Sequence, residues 1–285
     1  MLFVPERLAS TCQRAPDRTA WLEQLPRRVR RLQKEWSLTL EDAFDGVEVS
    51  CAWVAPAVRE DGTRAVLKLG MPHMESAHEA HGLRFWDGDP TVRLLESDAD
   101  LDAMLLERCE PGTPLRERPE PEQDAVIAGL LRRLWRNPAT PHPFRPLSEM
   151  TATWAEETMA AAPRRTDLGL VQAGLRLMEE LSRPSPDDVL LATDLHAGNV
   201  LQAQRRPYLM IDPKPFIGDP AYDATQHLFN CRERVLTAPD ATIHGFSDLL
   251  GVDAERVRLW MFARAAAEPR DIWDDDSINL AKVLE

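Results

Sequence analysis

The feature that most limits what this chain can fold into is a change of texture near residue 110. Before it, apolar residues come in short runs split by turn residues. "VEVSCAWVAPAVREDGTRAVLKLG" reads as a hairpin: residues 47–57 are rich in Val and Ala, "EDG" at 60–62 supplies the turn, and "RAVLKL" at 64–69 returns. "TVRLLES" and "AMLLERC" are two further strands, and "ESAHEAHGLRFWDG" (75–88) is a helix ended by a glycine. Ahead of the hairpin, Trp21, Leu25, Val29, Leu32 and Trp36 recur at helical spacing; Pro26 breaks or kinks that pattern, so two short helices fit it as well as one. After the Pro-rich "EPGTPLRERPEPEQ" (110–123) the spacing predicts helices over 122–136, about 147–162 and about 166–182. Short strands follow at 188–192, 199–203 and 207–212, then helices from about 221. The expectation is an α+β fold of two lobes: a small β-rich lobe with leading helices (1–109) and a larger helical lobe (110–285). Clefts between lobes are preferred ligand sites.

Charge narrows the partners. The net charge of −13 argues against nucleic acid, whose phosphates would be repelled, and suits a small cationic ligand. Residues 186–285 alone hold 17 acidic and 10 basic side chains. No apolar run approaches the ~18 residues of a membrane span, and "MLFVPERLAS" is not a secretory leader. Cys12, Cys51, Cys109 and Cys231 are far apart and form no CxxC pair, which reads as reduced thiols in a cytoplasmic protein. Of the 34 basic residues only four are lysines (Lys34, Lys68, Lys214 and Lys282), so a lysine marks a place where arginine's planar fork does not serve.

Two of those lysines sit beside the polar clusters. In "ATDLHAGNVL" (192–201), Asp194, His196 and Asn199 crowd between apolar runs, and "YLMIDPKPF" brings Asp212 to the end of a later run. A hairpin through "QRRP" would return Asp212 beside Asn199 as a pair of hard oxygen ligands suited to Mg²⁺. Asp194 would then be free to accept a proton from a hydroxyl, an arrangement that suits phosphoryl transfer. On this reading the polar residues of the loop hold metal and acceptor; they are not there to turn the chain. Lys68 lies between apolar neighbours on a strand and needs a partner; Glu79, on the helix that follows, supplies one. Taken singly, Asp194 reads as a turn residue, Asn199 as a cap and Asp212 as a strand end; only together do they point to chemistry.

"GTRAVLKLG", the stretch from "HEAHGLRFWDG" to "LLERCEPGTPL", "LLATDLHAGNVL" and "LMIDPKPFIGDPAYDATQHLFN" together resemble the aminoglycoside phosphotransferases, which share the protein-kinase-like fold, and within them the streptomycin and hydroxyurea kinase branch. The resemblance implies ATP and Mg²⁺, with Asp194 catalytic, Asn199 and Asp212 holding metal, and Lys68 with Glu79 at the nucleotide phosphates. It implies a hinge at 105–109, with Leu106, Glu107, Arg108 and Cys109 meeting the adenine through backbone, and Asp219 and Asp223 bracing the catalytic loop. The loop begins Ala192-Thr193-Asp194 where the family commonly has His-Gly-Asp. The loop over the nucleotide, "FDGVEVSCAW", offers only Gly46, with Ser50 as a phosphate donor.

Three features stay open at this level. Lys214 either reaches phosphate or pairs with a carboxylate. His73, His78 and His81 cluster without a further ligand set for zinc. The acidic stretch "EPRDIWDDDS" is either a solvated face or, through Asp271, Asp274, Asp275 and Asp276, a site for a guanidinium or ammonium group of the acceptor.

Overall fold

The computed structural model describes residues 2–45, 51–161, 167–269 and 275–285, with backbone alone at 75, 76, 275 and 276. The chain divides into two compact units, Met1–Thr113 with Leu201–Ile211, and Pro114–Val200 with Asp212–Glu285.

The first unit opens with α1 (Glu6–Cys12) and α2 (Pro16–Glu35). α2 is a single helix despite Pro26, so the two-helix alternative is set aside. Pro16 occupies the first turn, where a missing N–H costs nothing. Across the bond that Pro26 cannot make, the helix is held by its buried stripe Trp21, Leu25, Val29 and Leu32, which packs with Trp53, Leu67 and Leu69. The strands β1 (Leu38–Leu40), β2 (Ala52–Arg59) and β3 (Arg64–Gly70) come next, then α3 (Glu79–Trp86), β4 (Leu94–Asp98) and β5 (Ala103–Glu107). The strands form an antiparallel sheet in the order β1-β2-β3-β5-β4. In the β2–β3 turn Gly62 takes φ +84°, and the Asp61 carboxylate accepts from the Thr63 N–H. β3 is interior, with Lys68 opposite Val54 on one side and Met104 on the other. The predicted helix over 75–88 is a 3₁₀ turn at Glu75–His78 running into α3, which ends at Asp87 in the left-handed region, one residue before Gly88.

The second unit is mainly helical: α4 (Glu120–Leu134), α5 (Leu147–Ala161), α6 (Leu168–Leu181) and then β6 (Val189–Leu191). From there β7 (Val200–Gln202) and β8 (Tyr208–Met210) make the predicted hairpin. Its Leu209 is buried among Leu83, Val92, Met104 and Leu106 of the first unit, of which Leu201–Ile211 is part. The chain returns as β9 (Phe216–Gly218), a strand the apolar spacing did not reveal; it runs antiparallel to β6 with Phe216 opposite Leu191. The helices α7 (Pro220–Asn230), α8 (Arg232–Thr237), α9 (Pro239–Leu250), α10 (Ala254–Ala267) and α11 (Asp275–Leu284) follow. Among the described residues no helix is long and apolar enough to cross a membrane.

α10 is the buried axis of this unit, with every residue from Trp260 to Ala267 inside, and it packs on α6, α7, α9 and α11. Its close approach to α6 depends on Gly174, where an added Cβ would lie 2.7 Å from the Ala266 Cβ and 3.1 Å from the Ala263 carbonyl oxygen. Neither atom belongs to a flexible side chain. Gly174→Val should therefore destabilise the protein by about 1–3 kcal/mol through overpacking, read as a lower midpoint in urea unfolding; an unchanged midpoint would show that the two helices separate freely.

Candidate active site

The loop after β6 is built around a buried acid. Asp223 on α7, 1% exposed, accepts from the Ala192 N–H at 3.0 Å, the Thr193 N–H at 2.7 Å and the Trp135 indole N–H at 3.0 Å. Burial pushes its carboxyl up to about 6, against the pull of those donors. These bonds hold Thr193 at φ 53°, a conformation a β-branched residue rarely adopts and which costs on the order of 1–3 kcal/mol. The Thr193 hydroxyl is fastened as well, to the Lys214 carbonyl at 2.6 Å. Asp194 is the next residue.

The antiparallel register of β6 and β9 then places Lys214 alongside. Its N–H donates to the Ala192 carbonyl at 2.9 Å, and its ammonium lies 2.5 Å from Asp194 Oδ2. Of the two roles open to Lys214 in the sequence, pairing with a carboxylate is the one observed. Asp194 Oδ1 accepts from the Gln226 amide at 2.9 Å. Both oxygens of the carboxylate thus face donors, and the group is set up as an acceptor.

Asn199 ends a 3₁₀ turn, Ala197–Asn199, and donates Nδ2 to the Asp194 carbonyl at 2.9 Å. That bond commits the amide nitrogen and leaves Oδ1, a hard oxygen, as the atom to offer a cation. Asp212 stands at φ 56° and acts electrostatically on His196, which locates its carboxylate in the same neighbourhood. One amide oxygen and one carboxylate suit Mg²⁺ and not a soft metal. His196 has a different role from the one the sequence gave it. Its Nδ1 accepts from the Gly198 N–H at 3.0 Å, and burial pushes its pKa down against the pull of Asp194 and Asp212. A neutral imidazole therefore caps the turn that carries Asn199, so at this position the side chain does turn the chain.

Asp219 braces elsewhere than the catalytic loop. One oxygen caps α7 at the Ala221 N–H, and the other accepts from the Trp260 indole at 2.6 Å and Arg256 at 2.5 Å, tying α7 to α10.

In the first unit, Lys68 donates to both oxygens of Glu79 at 2.7 and 2.6 Å, with the residues 7% and 3% exposed. A buried pair with this geometry fixes the direction of the ammonium. It is weak evidence for stability, because desolvation offsets most of the attraction. At 106–109, Leu106 pairs with Val66 across the sheet. Burial disfavours the Glu107 charge, but the two-pronged bond from Arg205 (2.9 and 2.8 Å) outweighs it and holds the carboxyl below its usual range. Arg108 reaches Glu41 at 3.1 Å, and burial pushes the Cys109 thiol up to about 12. In the backbone of this segment, the Glu107 N–H donates to the Arg93 carbonyl at 2.9 Å.

Ser50, Asp271 and Asp274 lie outside the described residues. Asp275 and Asp276 begin α11, with their side chains likewise outside them. Of the three clustered histidines, His78 and His81 have tilted rings 5.5 Å apart. A separate group of ligating side chains, Asp124, His227 and Cys231, is neutralised by protein: Arg234 bonds both Asp124 oxygens at 2.7 and 2.9 Å, and burial lifts the Cys231 thiol to about 11.

Residues 39–276 match the family model described as aminoglycoside/hydroxyurea antibiotic resistance kinase. A streptomycin 6-kinase of Streptomyces glaucescens is 35% identical over 96% of this chain and 91% of its own length. A hydroxyurea phosphotransferase of Kitasatospora aureofaciens is 38% identical over 86% of this chain and 72% of its own. Among solved structures, a choline kinase from Streptococcus pneumoniae superposes with a TM-score of 0.61 at 14% identity, covering 92% of this chain and 97% of that one. The fold is protein-kinase-like, and the class is that of phosphotransferases acting on small molecules. The chain belongs to the aminoglycoside/hydroxyurea antibiotic resistance kinase family.

The raised Asp223 pKa has a measurable sign. Its stabilising contribution is fully present below about 4 and is lost as pH rises through about 6, because the unfolded carboxyl ionises first. Asp223→Asn removes that dependence and turns an amide NH₂ toward backbone donors, at a cost of about 1–3 kcal/mol. Urea unfolding at pH 4 and pH 7 should show the wild-type advantage narrowing at the higher pH; an advantage that widens would contradict the assignment.

Proposed function

We propose that this enzyme transfers the γ-phosphoryl group of ATP to a hydroxyl of a small cationic antibiotic, a streptomycin-like aminoglycoside, in the cytoplasm where ATP is abundant. The observation that carries the proposal is the Asp194 carboxylate, with donors at both oxygens, on a loop fastened by a buried acid. The negative charge of the chain and the streptomycin 6-kinase relative support the choice of acceptor.

In the mechanism, the acceptor oxygen bonds to the γ-phosphorus as the bond from that phosphorus to the β,γ-bridging oxygen breaks. Asp194 takes the hydroxyl proton, and ADP leaves. No phosphoenzyme forms. Lys68, aimed by Glu79, neutralises charge on the nucleotide phosphates. Asn199 and Asp212 would hold Mg²⁺, which when bound supplies further neutralisation of phosphate charge. Backbone at Leu106, Glu107, Arg108 and Cys109 receives the adenine, and Ser50 donates to phosphate. Asp271, Asp274, Asp275 and Asp276 receive the cationic groups of the acceptor. A second reading, phosphorylation of hydroxyurea, draws support from the hydroxyurea phosphotransferase relative; on it the acidic stretch is incidental.

An acceptor screen with streptomycin, other aminoglycosides and hydroxyurea separates the two readings by which compound drives ADP release. Asp194→Asn should lower turnover by about 10²–10⁴-fold while ATP with Mg²⁺ still raises the melting temperature; near-normal turnover would remove Asp194 from the chemistry. Replacing Asp271, Asp274, Asp275 and Asp276 together by Asn should raise KM for streptomycin by about tenfold or more, with ATP KM unchanged. An unchanged streptomycin KM would leave the stretch a solvated face.

A further inference from the structure

The geometry points to Gln226 as a positioning residue for the Asp194 carboxylate, its amide held in the working orientation by Arg264. This inference rests on Asp194 being the group that takes the acceptor proton. Gln226 lies on α7 three residues after Asp223, so both side chains leave the same face of the helix. Asp223 fixes the backbone of the loop at Ala192 and Thr193, and Gln226 fixes the side chain of the residue after them.

A glutamine amide can present either its oxygen or its nitrogen to a neighbour. Here the choice is made by Arg264, which has only donors. Its guanidinium donates to Gln226 Oε1 at 2.9 Å, so the amide nitrogen is the end that meets Asp194 Oδ1. Arg264 itself has little freedom. It is 3% exposed and paired with Glu268 at 2.9 Å. It also bonds the Thr225 hydroxyl, and its guanidinium carbon lies 4.7 Å from the centre of the Tyr222 ring and 5.0 Å from that of Phe229. A chain of fixed groups thus runs from Glu268 through Arg264 and Gln226 to Asp194.

Asp194 needs this support. The second side-chain torsion of an aspartate is broad, and an ammonium on a flexible stem does not define the plane of a carboxylate. Lys214 at Oδ2 supplies charge; the directional bond at Oδ1 sets the plane. Each carboxylate oxygen can accept more than one bond, and the plane set at Oδ1 decides how the remaining lone pairs meet the acceptor hydroxyl. A base displaced by about 1 Å costs on the order of 10²-fold in rate.

Gln226→Glu separates positioning from packing. The variant keeps an acceptor for Arg264 but faces Asp194 with a second carboxylate in place of an N–H donor. Gln226→Met keeps the volume and removes both bonds. The expected result, with streptomycin as acceptor and ATP–Mg²⁺ as donor, is a fall in kcat of about 10²-fold for both variants, with KM for ATP and streptomycin within about threefold of wild type and the Gln226→Glu melting temperature unchanged. A Gln226→Glu kcat within threefold of wild type, alongside an inactive Asp194→Asn control, would overturn the positioning role and leave the role of Asp194 intact. A joint fall in kcat and melting temperature for Gln226→Glu would likewise overturn it, in favour of a structural one. Normal turnover by Asp194→Asn would overturn the reading beneath it.

Discussion

The Asp223 carboxylate is the contact on which the rest of the site depends. A buried acid is costly to place in a protein interior, and it persists here because two loop N–H groups and an indole converge on it. Those same bonds allow a threonine to sit at φ 53°, and that turn directs Asp194 out of the end of β6. Each later contact at Asp194 builds on that placement. The β6–β9 register brings Lys214 to Oδ2, one turn further along α7 Gln226 reaches Oδ1, and Asn199 ties back to the Asp194 carbonyl.

The parts of this arrangement that were legible in the sequence are those in which a residue type was out of place locally. A lysine between apolar strand residues required a partner, and Glu79 meets it on an interior strand where escape to solvent is blocked. The parts that were not legible depend on register or on distant partners. β9 is three residues long and carries no periodicity, so the strand that delivers Lys214 to Asp194 could not be read. Gln226 is an unremarked polar residue on a helix until Arg264, 38 positions on, determines which way its amide faces. His196 reads as part of the chemistry because it stands among chemical residues, yet its Nδ1 is spent on the backbone of its own turn. Pro26 leaves one helix or two equally open in the sequence, and tertiary packing of one apolar stripe decides for one, outweighing one missing helical bond.

The likeness to a choline kinase at 14% identity shows the same fold in a distant sequence, and the fold alone does not name an acceptor. In this chain the groups assigned to phosphoryl transfer lie on short strands and on a turn buttressed by α7 and α10. The acids proposed for the acceptor follow α10 in the sequence, in a stretch rich in aspartate.

Transfer of the phosphoryl group to a hydroxyl of a small molecule is tested most directly by ³¹P NMR of the protein incubated with ATP, Mg²⁺ and streptomycin. A new phosphomonoester resonance on the antibiotic is expected to grow in step with ADP. Consumption of ATP with only inorganic phosphate appearing, in the presence of streptomycin and of hydroxyurea alike, would contradict it.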